Sequence, residues 1–330
     1  MPEASVPRPT TPPADLLDRR LLFVTGKGGV GKSTVAAALA LLAADRGKRV
    51  LVVEADAKGN LSDFFERPMP GFKPEPLYPG VFGMTMHTEA SLQEYLKLNL
   101  KVPVLGRIGP VAKMFDFVAT AAPGVKEILT VGKVCWEVRE SVAGRAHWDL
   151  VIVDAEASGH VVAQLDAPRT MQDLVKVGPV RAQTEWMAEI LADPQLTALH
   201  VVVTPEEMPV AETIDLVTRV RNEVDVALGT VFVNRVLPEL FTTAEEEIFE
   251  ALRRAPADAV LKARAGAGAT VVLDGARLAV SMRRTRAAHL SRLRETLDLP
   301  LAYLPYLFVR SHGVRVTRMV ADAIADELGI

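Results

Sequence analysis

Two lysines, a hydroxyl and two carboxylates carry the chemistry this chain can do. Three of them crowd into one stretch, Gly26-Lys27-Gly28-Gly29-Val30-Gly31-Lys32-Ser33-Thr34. Closely spaced glycines let a backbone wrap an anion and aim successive N–H groups at it. Such a loop serves phosphate when a helix begins directly behind it, because the positive end of that helix faces the same anion. The spacing Gly26-x4-Gly31-Lys32-Ser33 then assigns roles: Lys32 reaches the β- and γ-phosphates, and the Ser33 hydroxyl ligates Mg²⁺. Mg-ATP binding is the implied chemistry.

Two aspartates extend it toward hydrolysis. Asp56 lies in Glu54-Ala55-Asp56-Ala57-Lys58-Gly59-Asn60-Leu61-Ser62-Asp63 and is the candidate to orient or activate the attacking water, with a place near the metal. Asp154, in Asp154-Ala155-Glu156-Ala157-Ser158-Gly159-His160, ends an apolar run in the manner of a Walker B strand and holds Mg²⁺ directly or through water. Gly159 lets a backbone N–H approach the γ-phosphate; His160 is either part of a phosphate-sensing switch or a surface residue. Each aspartate alone is equally a helix cap or a solvated strand end. Their order behind a phosphate loop favours the functional reading.

Those residues need a parallel sheet to bring them to one edge. Apolar, β-branched runs predict buried strands at Leu21–Thr25, Arg49–Glu54, Trp148–Asp154, Ala198–Thr204, Gly229–Asn234 and Leu301–Leu304, with another at Val81–Met86. Helical patterns separate them, the clearest running from Lys32 through Ala36–Ala44 to a stop at Gly47. This alternation predicts an α/β fold, a doubly wound and mostly parallel sheet with helices on both faces. Two helical stretches, about 89–146 and 238–299, interrupt it and read as an inserted helical subdomain within a single domain spanning 19–330. Their apolar faces read as core packing. Residues 1–18, dense in proline, read as a disordered lead-in.

Composition removes several classes. A formal net charge of −3 argues against nucleic-acid binding through overall charge. The arginines 283, 284, 286, 292 and 294 form a basic helix face that reads as solvated surface, with an acidic partner as the lesser alternative. One cysteine, Cys135, leaves no disulfide framework and reads as a buried small hydrophobe, in keeping with a cytoplasmic setting. No run approaches the roughly 18 apolar residues of a membrane span, so no direct membrane insertion is expected.

The early lysine, Lys27, is not needed for an ordinary phosphate loop. Lys-Gly-Gly-Val-Gly-Lys-Ser resembles the deviant Walker A of the MinD/ParA/arsenite-ATPase class, in which that lysine crosses a dimer interface to the partner's nucleotide. Together with Asp56-x3-Asn60-Leu61-Ser62-Asp63, Asp154-x4-Gly159-His160, the stretch from Val203-Thr204-Pro205 to Glu212-Thr213, and Val233-Asn234-Arg235, the resemblance narrows to the arsenite-pump and tail-anchored-protein-targeting ATPases. Ala122–Leu129 and Gly178-Pro179-Val180 are similar to actinobacterial single-domain members. The resemblance implies a dimer, homodimeric or with a homologous ATPase, closed over Mg-ATP. It also implies adenine contact by Asn234, a turn at Leu307–Phe308 closing the pocket, and a protein client or partner bound through the helical subdomain.

The chain departs from that family in both switches. Asp56-Ala57-Lys58-Gly59 stands where members usually read Asp-Pro-Ala-His, and Asp154-Ala155-Glu156-Ala157-Ser158 where they read Asp-Thr-Ala-Pro-Thr. Without those stiff prolines, nucleotide binding carries over further than hydrolysis rate, and a slow scaffold paired with an active homologue is the alternative function. Lys58 and Glu156 are an expected ion pair across the nucleotide-free site. One cysteine and scattered histidines supply neither the thiolates of an arsenite site nor an intersubunit zinc site.

Overall fold

A computed structural model describes residues 16–56, 59–68, 70–92, 94, 124–142, 144–238, 242–266, 268–309 and 313–330. Ten strands appear among them: β1 (Leu21–Gly26), β2 (Val50–Glu54), β3 (Glu75–Tyr78), β4 (Val81–Thr85), β5 (Ser141–Val142), β6 (Arg145–Ala146), β7 (Leu150–Ala157), β8 (Thr197–Val203), β9 (Leu228–Val236) and β10 (Leu301–Pro305). Eight make one sheet in the order β10-β9-β8-β1-β7-β2-β4-β3. Every pairing in it is parallel except β3 with β4. From β1 the chain winds outward through β2 and β4, returns to β7, then crosses to β8, β9 and β10 on the other side. Loops leaving β1, β2 and β7 therefore share one carboxyl edge near the point where the winding reverses.

The strands are apolar on both faces because both are covered. Leu21, Phe23, Leu51, Val53, Val151 and Val153 enter one core. It is covered by α3 (Val125–Arg139), α4 (Ser158–Leu174), α5 (Pro179–Ala192), α6 (Glu207–Glu223) and the end of α9 (Gly268–Thr296). Their alternates Leu22, Val24, Val50, Val52, Leu150 and Ile152 enter the second core, under α1 (Lys32–Asp45), α2 (Asn60–Phe65) and α10 (Val314–Leu328). The helix α1 is buried on nearly every side, and its small alanines let sheet and α10 approach together.

Several expectations are corrected. The lead-in cannot run to residue 18, since Leu16 and Leu17 are buried in the α1-side core and the Lys48 ammonium donates to the Leu17 carbonyl. The edge strand β3 was not expected; with Pro76 and the exposed Glu75, it lacks the apolar run of its buried neighbours. Within 89–146, helix α3 is joined by a short hairpin, β5 with β6, while residues 95–123 lie outside the described residues.

The later helical stretch divides into α7 (Thr243–Leu252), α8 (Ala257–Ala265) and α9, but its apolar face is not simply core. Leu290, Leu293 and Leu297 pack on the sheet, whereas Ile248, Val260, Val271, Val272 and Leu278 are exposed. Nor is the basic face of α9 simply solvated. Arg284 pairs with Glu246, Arg286 reaches Glu206 at 3.6 Å, and Arg294 donates to the Tyr303 hydroxyl at 2.7 Å.

Beneath β8 sits a fully buried imidazole. The Thr230 N–H donates to His200 Nδ1 at 3.0 Å, and the ring fits only because Gly229 has no Cβ, which would stand 2.5 Å from a ring carbon. Burial, reinforced by the positive charge of Arg19, lowers the His200 pKa to about 3. Below its ordinary pKa of 6.5 the unfolded chain takes a proton that the folded chain refuses. Stability from this group is therefore complete above that pH and is lost as pH falls toward 3, by up to about 1.4 kcal/mol per pH unit. Denaturant unfolding at stepped pH should show a slope that His200→Asn reduces; an unchanged slope would contradict the buried neutral ring.

Candidate nucleotide site

The loop leaving β1 is held by what its glycines lack. At Gly26 (φ +148°) a Cβ would lie 2.1 Å from the Val202 carbonyl oxygen, and at Gly31 (φ +99°) it would lie 2.3 Å from Asn234 Nδ2. Both ends of the loop are thus pressed against neighbouring strands in conformations that favour glycine. At Gly28 and Gly29 a Cβ would meet nothing within 4 Å. The floor is tight and the mouth open, the shape a phosphate group needs. Gly31 also caps α1 without a side-chain hydrogen bond, leaving the first-turn amides of Lys32, Ser33 and Thr34 with no side-chain cap.

Asn234, at the end of β9, fastens the loop from beside. Its Nδ2 donates to the Val30 carbonyl at 2.8 Å, and its Oδ1 accepts the Arg235 N–H at 2.9 Å. The Arg235 carbonyl in turn accepts from Arg286 of α9 at 3.3 Å, so a polar chain runs from the loop to the long helix.

The lysines and carboxylates meet on the same edge. Lys32 Nζ lies 3.5 Å from the Lys27 carbonyl oxygen. Asp154 on β7 pairs in register with Val24 of β1 and with Glu54 of β2, and its side chain is buried. Asp56 follows Glu54 two residues later and is partly exposed. Lys58, and with it the expected pairing to Glu156, lies outside the described residues. Glu156 accepts from Lys126 of α3 at 2.6 Å, and its backbone carbonyl accepts from the Thr25 hydroxyl at 2.9 Å. The second switch is therefore tied both to the phosphate-loop strand and to helix α3.

Gly159 and His160 are exposed on the first turn of α4. Leu307 packs toward the α1-side core, while Phe308 stacks near Tyr306 (4.8 Å) beside a cavity of about 320 Å³ that it shares with α9 and not with the phosphate loop.

Sequence reasoning missed the partner of Lys27. Within this chain the Lys27 ammonium forms an ion pair with Glu212 of α6, whose second carboxylate oxygen is 3.5 Å from the Ser158 hydroxyl. Glu212 was visible in the Glu212-Thr213 motif, but nothing in spacing alone shows that α6 lays it beside the loop.

Comparison with known proteins converges on one group. The model of the anion-transporting ATPase family matches residues 19–183 and 176–262. ATPase BagA of Mycobacterium tuberculosis is 33% identical over 248 residues, 72% of each chain. An ATPase ASNA1 homolog of Entamoeba dispar is 26% identical over 262 residues, 66% of this chain and 76% of that one. ATPase GET3 of Podospora anserina is 28% identical over 171 residues, 49% of this chain and 47% of that one.

The clamp at Gly31 makes an immediate prediction. Gly31→Ala should cost about 1–3 kcal/mol from its left-handed backbone alone, more with the collision at Asn234, and should abolish nucleotide binding. Unfolding without nucleotide and calorimetric titration with ATP read the two effects separately.

Proposed function

The chain belongs to the anion-transporting ATPase family and is an ATPase; on that premise we propose that it is a Mg-ATP-driven switch that closes as a dimer and couples its nucleotide state to a protein client or partner. The observation that carries this reading is an open-mouthed glycine loop with two lysines, set beside Asp154 on the carboxyl edge of a parallel sheet.

The residues fit the group the reaction needs. Ser33 at the start of α1 and Asp154 in the carboxyl-terminal half of β7, with Asp56 near them or through water, would hold Mg²⁺. The ion would neutralise charge on the β- and γ-phosphates. The backbone from Gly26 to Thr34 orients the phosphates, Lys32 places a positive charge on them, and Asp56 orients the attacking water. Gly159, at the N-terminus of α4, offers its N–H toward the γ-phosphate. The Asn234 amide keeps a second N–H and a second lone pair beyond its bonds to Val30 and Arg235, enough to read adenine. Leu307 closes the base side in this reading, and Phe308 faces α9.

Two features support a client. A cavity of about 550 Å³ between α3, α4 and α5 is lined by Trp136, Trp186, Met171 and Met187 among others. The helices α7 to α9 expose Ile248, Val271, Val272 and Leu278. We assign dimer formation to Lys27 reaching a partner's nucleotide, and a cytoplasmic setting fits because no helix among the described residues is long and apolar enough to cross a membrane.

Asp56→Asn should keep ATP affinity within a few-fold and lower turnover by about 10²–10⁴. Lys27→Ala should bind ATP but lose the increase in mass that ATP produces in the wild type. Turnover at background for the wild type, alone and in every mixture with a homologous ATPase, would sink the hydrolysing switch; background turnover alone with activity restored in the mixture is the outcome of the nucleotide-binding scaffold.

A further inference from the structure

The Lys27 ammonium already has a partner within its own subunit. In the single chain its ammonium is engaged by the Glu212 carboxylate, and the other oxygen of that carboxylate faces the Ser158 hydroxyl at 3.5 Å. Glu212 rises from the second turn of α6, whose Pro209, Val210, Thr213 and Leu216 are buried, so the helix holds it firmly beside the loop. Ser158 opens α4 within the second switch. One carboxylate therefore bridges the phosphate loop and the switch.

We propose that Glu212 is a positioning residue that parks Lys27 within its own subunit, so that reaching a partner's nucleotide requires the Lys27–Glu212 pair to break. This rests on the dimer reading above. The pair is partly exposed, with Lys27 at 27% and Glu212 at 40%, so water screens it and it opens readily. It acts as a threshold, not a lock. A symmetric dimer must open two such pairs, which doubles the threshold in free energy.

The test is the self-association constant in the presence of Mg²⁺ and a non-hydrolysable ATP analogue, measured by sedimentation velocity. Glu212→Gln keeps the side chain's length and removes its charge, and should tighten the dimer about two- to thirty-fold, the range expected for releasing two partly exposed ion pairs. Glu212→Asp, which keeps the charge but withdraws it by one methylene, should shift the constant in the same direction by less. Unfolding of each variant without nucleotide checks that the monomer is intact. An unchanged or weakened dimer in Glu212→Gln overturns the parking role. If neither wild type nor variant associates with the analogue, the dimer reading itself fails and the parking role with it. If only the variant associates, the threshold is larger than the pair alone predicts and Glu212 is its source.

Discussion

Everything at the site depends on a steric constraint. Gly26 and Gly31 cannot carry side chains, because the Val202 carbonyl and the Asn234 amide occupy the space. That close approach is possible only if β8 and β9 lie to one side of β1, which is where the sheet order puts them. The loop is thus shaped before any phosphate arrives. Its mouth at Gly28 and Gly29 is open, and ATP need not supply the free energy of ordering the clamped ends. The same order puts β7 on the other side of β1, so Asp154 registers with Val24 without any further device.

Polar contacts then join this clamped centre to the helices around it. Asn234 passes from the Val30 carbonyl to Arg235, Arg235 to Arg286, and Arg286 to Glu206 at the start of α6. Glu156 reaches Thr25 through its backbone and Lys126 of α3 through its side chain. Each helical stretch outside the sheet alternation therefore has a hydrogen-bonded root near the phosphate loop. Apolar packing alone would not provide this, because the exposed part of α9 has little core beneath it.

The sheet and the loop were legible in the sequence because local physics sets them. Buried parallel strands read as unbroken Val and Leu runs, and six expected core strands appear within a few residues of their positions. Glycine spacing before Lys32 names an anion loop without knowledge of its neighbours. What could not be read depends on distant approach. Glu212 is 185 residues from Lys27, and Lys126 is 30 from Glu156. The arginines of α9 carried no sign that three are engaged with Glu246, Glu206 and Tyr303. Charge pairing between elements has no periodicity, so side-chain reach decides it only once the elements are packed. The edge strand β3 was missed for a related reason: an edge strand is exposed and lacks the apolar signature of its neighbours.

The missing switch prolines take on a different meaning in this light. Proline would restrict the backbone itself, in every nucleotide state. At the second switch Ala157 stands where the proline would, and its neighbour Glu156 is held by a partly exposed lysine, a contact worth about 1 kcal/mol or less. A restraint of that size orders the segment without fixing it, and a phosphate group can outcompete it. The same holds for Lys27 with Glu212. Both pairs sit at the rim of a loop whose backbone is sterically clamped. Steric clamping is therefore concentrated at the loop, and weak, breakable ion pairs at its rim. Departure from the family's switch pattern does not by itself imply a dead site; it exchanges covalent stiffness for ion pairs that ionic strength and bound phosphate can both release.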